Sequence, residues 1–148
     1  SSSSISDGAA AIVLMSESAA KAAGLKPLAR LVSYASHAQA PEWFTTAPAP
    51  SMQKALDGAG WKIADVDLFE INEAFACVAM AAMQDLGLRH DQVNANGGAC
   101  AMGHPVGATG ARIITTLLYA LRKRGLRRGV ASQCIGGGEA CAVAIELL

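Results

Sequence analysis

Three short stretches carry residues whose types and spacing could do chemistry. In "GGACAMGHPVGATGARI", residues 97–113, His104 lies among glycines and directly before a proline. That proline pushes the histidine backbone to extended geometry and keeps it out of a helix interior, so a turn, not a helical face, aims the imidazole. A helix beginning near residue 108 would turn free amides toward the same place. An imidazole there suits general-base work or, as a donor, the steadying of a developing oxyanion. The structural alternative is a histidine that satisfies a loop carbonyl.

In "FEINEAFA", Asn72 and Glu73 follow an apolar run. Asparagine caps helices well and glutamate suits a first turn, but a buried amide at a strand end can also hold a water or a substrate oxygen. In "SQCIGGGEA", Cys134 is followed closely by three glycines. Its thiol is either a small buried hydrophobe or, beside exposed amides and within reach of a histidine, an acid, base or nucleophile. Cys100, inside the glycine loop, ranks second to it. The glycines themselves match neither GxGxxG after a strand nor GxxxxGKS, so neither standard nucleotide fingerprint is present.

The elements that must position these residues can be read from the apolar pattern. "DGAAAIVLMS" suits a buried strand near residues 8–15, and Ser16 can cap a helix through "ESAAKAAG". "LARLVSYASH" is rich in strand formers, and the connector "APAP" leads into a helix over "SMQKALDGAG". "VDLFEI" is a further strand, "NEAFACVAMAAMQDLG" a packed helix, and "ARIITTLLYALRKRG" a helix with positive charges at its C-terminal end. "GVASQC" and "EACAVAIEL" close the chain as a hairpin. The order β-α-β-α-β-α-loop-α-β-β implies an α/β fold with a mixed, mostly parallel sheet and helices on both faces. The three chemical stretches fall where strand ends meet helix beginnings, the usual location of sites in such sheets.

Composition bounds the rest. The 148 residues are 52% hydrophobic, enough for one domain over 1–148 with a real core. Twelve basic residues balance twelve acidic ones, and no basic stripe is interleaved with aromatics, so nucleic acid is not an expected partner. No run is long and apolar enough to span a bilayer, and "SSSSISDGAA" has no secretory pattern, so the expected location is cytoplasmic. Cys77, Cys100, Cys134 and Cys141 show no CxxC pairing, which disfavours a metal site or a disulfide framework.

Together, "NEAFA", "GGACAMGHPVGATGARI" and "CIGGGEACAVAIE", in this order and at these separations, resemble the thiolase family, the acetyl-CoA acetyltransferases and 3-ketoacyl-CoA thiolases. "SISDGAAAIVLMSE" and "GLKPLARLVSYA" extend the likeness over nearly the whole chain. The resemblance implies a transferase of fatty acid metabolism that moves acyl groups between an enzyme cysteine and coenzyme A thioesters. His104 then corresponds to the histidine that activates the nucleophilic cysteine and contributes to an oxyanion hole, and Asn72 to the asparagine holding that hole's water. Cys134 corresponds to the cysteine that exchanges a proton with the α-carbon of acetyl-CoA. Gly136 would lend its amide to a second oxyanion hole, and Ser3 best matches a serine near the pantetheine arm. No metal or dissociable cofactor is implied, since coenzyme A arrives with the substrate, and the family forms homodimers and homotetramers.

The sequence departs from the family pattern in two respects. The family's nucleophile lies in the N-terminal half, in a Cys-Ser-Gly type motif, and no cysteine here has that context; the likeness is to a C-terminal half that needs the other half as a partner. In "WFTTAPAPS", Thr45 and Ala47 stand where thiolases commonly have glycines, which bears on backbone shape beside the acyl pocket. Two other readings remain: a ketoacyl-synthase-type condensing enzyme, which typically uses a second histidine where this chain has Cys134 and Asn72, and a non-catalytic coenzyme A, anion-binding or assembly module.

Overall fold

The computed structural model describes all residues from Ser1 to Leu148. Helix α1 (Glu17–Ala22) starts where expected, with the Ser16 hydroxyl accepting from the Ala19 amide at 3.1 Å. Strand β1 (Ala29–Ala38) leads through a 3-10 segment (Pro41–Thr46) into α2 (Pro48–Ala59). The "APAP" stretch is thus mostly helix, not connector. Proline is tolerated in a first turn because the N–H it lacks would have no partner there. Strand β2 (Leu68–Ile71), α3 (Ala76–Leu86), a short α4 (Ala99–Met102), α5 (Thr109–Arg124), β3 (Arg128–Ile135) and β4 (Glu139–Leu147) follow.

The four strands form one mixed sheet in the order β1-β4-β3-β2. Only β2 and β3 pair in parallel; β4 is antiparallel to both β1 and β3. The expectation of a mostly parallel sheet is therefore corrected. The helical crossovers do keep β1, β2 and β3 pointing the same way, but the returning arm of the final hairpin inserts between β1 and β3. The helices lie on both faces: α2 and α3 cover Phe69, Ile71, Val130, Ala142 and Ala144, while α5 covers Leu68, Ala131 and Ile145. No helix is long and apolar enough to cross a membrane.

The strand expected near residues 8–15 does not form. These residues join no ladder, and Val13 and Leu14 are 82% and 72% exposed. A run that is apolar at every position suits a strand covered on both faces, and nothing in this chain covers it so. The N-terminal segment is instead fastened upstream, by isolated bridges from Ser2 to Phe75 and from Ile5 to His104.

Candidate active site

Parallel pairing of β2 with β3 brings their carboxyl ends to one edge of the sheet, with Ile71 opposite Ser132. Asn72 follows directly, its amide donating to the Ser132 carbonyl at 2.9 Å. It is 1% exposed and does not cap α3, which starts only at Ala76 after an extended Phe75. The capping alternative is thereby set aside: residues 72–75 form a turn of their own. Its Nδ2 lies 3.3 Å from His104 Nε2, and Arg112 Nη2 donates to its Oδ1 at 3.4 Å.

Glu73 does not sit in a helical first turn either. One carboxylate oxygen accepts from Asn94 Nδ2 at 2.9 Å and the other from the Cys100 amide at 3.0 Å. Asn94 is itself buried and clamps Ile71 through its amide and carbonyl, at 2.8 and 2.9 Å. The carboxylate thus ties the turn after β2 to the glycine loop, and it fits only because residue 98 is glycine: a Cβ there would overlap the Glu73 side chain.

His104 is carried by the turn between α4 and α5, as its proline neighbour requires. Its amide donates to the Ser4 carbonyl at 2.9 Å, and its Nδ1 lies 2.7 Å from Thr109 Oγ1, a fully buried hydroxyl that also donates to the Pro105 carbonyl at 3.0 Å. Gly103 immediately before it has φ +96°, a left-handed value that glycine adopts without strain, and faces Ser6 too closely for a side chain. Burial, and then the charge of Arg112, push the His104 pKa below its ordinary 6.5. The imidazole is therefore neutral at physiological pH, as a general base must be.

Cys134 lies near the end of β3, packed against the core on the α2 side, with no hydrogen bond to Asn72 or His104. Burial raises its pKa, so its resting form is the thiol. Cys100 is likewise raised, by burial and by Glu73, and its Sγ makes only a weak contact to the Glu73 carbonyl at 3.9 Å. Gly136 occupies the exposed β3–β4 turn; its amide makes no backbone hydrogen bond, and a Cβ there would meet open space. Ser3 spends both its amide and its hydroxyl on the Ala74 carbonyl, each at 3.1 Å, holding the turn that follows Asn72. The structure thus joins Asn72 to His104 directly and fastens Ser3 to the same turn, with Cys134 and Gly136 at the end of the neighbouring strand.

Thr45 and Ala47 cost no strain. Asn94 is the only non-glycine residue with positive φ, and Ala47 is helical and buried. The residues that sequence reasoning missed are Thr109, Arg112, Asn94 and Glu70. Glu70 had a visible signal, a carboxylate inside the otherwise apolar "LFEI"; burial raises its pKa to about 7, against an opposing pull from Arg112.

The family model for the C-terminal domain of thiolase matches residues 25–147. The acetyl-CoA acetyltransferase of Allochromatium vinosum is 54% identical over 97% of this chain, that of Escherichia coli K12 is 54% identical over 99%, and the cytosolic acetyl-CoA acetyltransferase of mouse is 49% identical over 97%. The chain spans only 36–37% of the length of these relatives. The crystal structure of the Bacillus anthracis acetyl-CoA acetyltransferase superposes with a TM-score of 0.88 at 46% identity, over 90% of this chain and 34% of that one. With matching sequence and fold, the chain belongs to the thiolase family, as its C-terminal domain.

Proposed function

We propose that this domain supplies the acid–base and oxyanion-stabilising groups of an acetyl-CoA acetyltransferase, whose nucleophilic cysteine belongs to a thiolase N-terminal half. The observation that carries this reading is the 3.3 Å approach of Asn72 Nδ2 to a neutral His104 Nε2 at the carboxyl edge of the sheet. In thiolysis, His104 would take the proton of the nucleophile as its sulfur attacks the 3-keto carbon. The C2–C3 bond then breaks, its electron pair passing into the enolate of acetyl-CoA. Protonated His104 and a water held by Asn72 would steady that enolate oxygen, and Cys134 would give its proton to C2. The thiol of a second coenzyme A, losing its proton to the Cys134 thiolate, would release the acyl group from the enzyme as a thioester, and the departing cysteine sulfur would take its proton back from His104. Condensation runs the same steps backward.

A raised thiol pKa suits Cys134 for this role, since it holds its proton until a carbanion forms. The unpartnered amide of Gly136 is available to the acyl-enzyme carbonyl. Ser3, occupied with Ala74, would line the pantetheine path at the same turn. No metal or dissociable cofactor enters, coenzyme A being part of the substrate, and the working form would be a cytoplasmic homodimer or homotetramer. By itself the chain is a binding or assembly module, because none of its four cysteines has the nucleophile's sequence context.

The test is thiolysis of acetoacetyl-CoA by the chain reassembled with a thiolase N-terminal half. Double-reciprocal plots against coenzyme A at several acetoacetyl-CoA concentrations should be parallel, the ping-pong signature of an acyl-enzyme. Intersecting lines, or no turnover by a folded assembly, would overturn the reading.

A further inference from the structure

We propose that Arg112 is a positioning residue: it orients the Asn72 amide, which, with Thr109, holds His104 in the tautomer protonated on Nδ1 and bare on Nε2. The reasoning needs only donor and acceptor chemistry. A guanidinium can donate but never accept, so the atom of Asn72 that faces Arg112 Nη2 at 3.4 Å must be the carbonyl oxygen Oδ1. The amide nitrogen then necessarily faces His104. Nδ2 is a pure donor, so Nε2 at 3.3 Å must be an acceptor, and a neutral imidazole that accepts at Nε2 carries its hydrogen on Nδ1.

The other end of the chain of bonds fits the same tautomer. In that form the single proton of Thr109 Oγ1 goes to the Pro105 carbonyl, which can only accept. Oγ1 is left to receive a hydrogen from Nδ1 at 2.7 Å. A series that begins at a group able only to donate and ends at one able only to accept has one direction. Water has little access to reverse it, because Asn72 and Thr109 are 1% and 0% exposed.

The fold explains why Arg112 is the group that does this. It lies in the first turn of α5, the helix that covers one face of the sheet, and Glu70 and Asn72, two residues apart, share a face of β2. Glu70 is buried beside it but not in ion-pair contact, and Arg112 Nε and Nη1 are buried without partners. The guanidinium is thus not spent on a bidentate carboxylate pair, and Asn72 is the hydrogen-bond partner it has. Neutral histidine in water favours the Nε2–H form, so the Nδ1–H form is a signature that the surroundings impose. Its consequence for catalysis, a bare Nε2 ready to act as base, rests on the thiolase reading; the tautomer itself does not.

Long-range proton–nitrogen NMR of the uniformly 15N-labelled 148-residue chain at pH 8 tests this directly, with His37→Gln and His90→Gln assigning the His104 signals. The expected spectrum has Nδ1 in the protonated range and Nε2 in the bare range. Arg112→Met frees the Asn72 amide to turn its oxygen toward the imidazole, so Nε2–H becomes the major form; Arg112→Lys, still a pure donor, keeps Nδ1–H. Thr109→Val shifts the population toward Nε2–H and Thr109→Ser restores it. A wild-type or Arg112→Lys spectrum with Nε2–H as the major form overturns the proposal, as does an Arg112→Met spectrum identical to wild type, and the first two decide it even if the methionine variant fails to fold. No substrate is involved, so a failure of acyl transfer and a failure of this inference are separate results.

Discussion

His104 draws its chemical character from the residues around it. Burial and Arg112 keep it neutral, Thr109 and Asn72 fix its ring, and Ser4 fixes its backbone. Asn72 is the neighbour best suited to a test: Asn72→Ala in the reassembled enzyme should lower turnover about 100-fold or more, as loss of an oxyanion-hole contact does. A loss below about 3-fold in kcat would return Asn72 to a packing role. Cys134→Ser should slow exchange of the α-protons of acetyl-CoA with solvent by about 100-fold or more, and acylation much less. Unchanged exchange would make Cys134 an inert core thiol. The positions of Asn72, His104 and Cys134 at strand ends and in a turn were legible in the sequence because a proline, three glycines and a strand end restrict where each can sit. Thr109 and Arg112 were not, because their meaning depends on which atoms a distant asparagine presents to them. Glu73 was misread as a first-turn carboxylate because its partners, Asn94 and the Cys100 amide, come from a loop more than twenty residues away.

Elements carry the second level of the design, and Glu70 on β2 is where it costs stability. Burial raises its carboxyl from 4.5 to about 7, so the folded protein binds this proton more tightly than the unfolded chain does. Below pH 4.5 both states are protonated and there is no penalty; stability is lost as pH rises from 4.5 to 7. Glu70→Gln should therefore stabilise the domain by up to about 3 kcal/mol at pH 8 and by almost nothing at pH 4, read from urea unfolding at the two values. An equal gain at both would show that burial of the charge is not the cause. Gly103 carries a different constraint, holding the turn of His104 against the N-terminal segment at φ +96°. Gly103→Ala should cost about 1–3 kcal/mol, and less than 0.5 kcal/mol would show that the turn relaxes freely. Periodicity and capping revealed α1, α5 and all four strands of the sheet. The insertion of β4 between β1 and β3 was hidden, because strand order depends on long-range pairing that no local pattern states.

Over the whole molecule, one apolar run is left uncovered. Residues 8–15 read as a strand apolar on both faces, yet they form none here, and Ile5, Val13, Leu14 and Met15 stay exposed. The run lies outside the matched thiolase C-terminal domain, which begins at residue 25. The isolated chain should consequently self-associate through it: Val13→Lys with Leu14→Lys should reduce light scattering at high concentration and change folding stability by no more than about 0.5 kcal/mol. Scattering unaffected by the pair would place the association elsewhere. The proposed chemistry likewise needs a second part: the domain would offer a base, oxyanion donors and an acid thiol, while none of its four cysteines has the nucleophile's sequence context. The decisive measurement is intact-mass analysis of the chain mixed with a thiolase N-terminal half and acetoacetyl-CoA. An acetyl group should appear on a cysteine of the N-terminal half and be lost, nearly completely, when the chain carries His104→Ala. A folded assembly that gains no acetyl group, or gains it equally with His104→Ala, would contradict the assignment of this site.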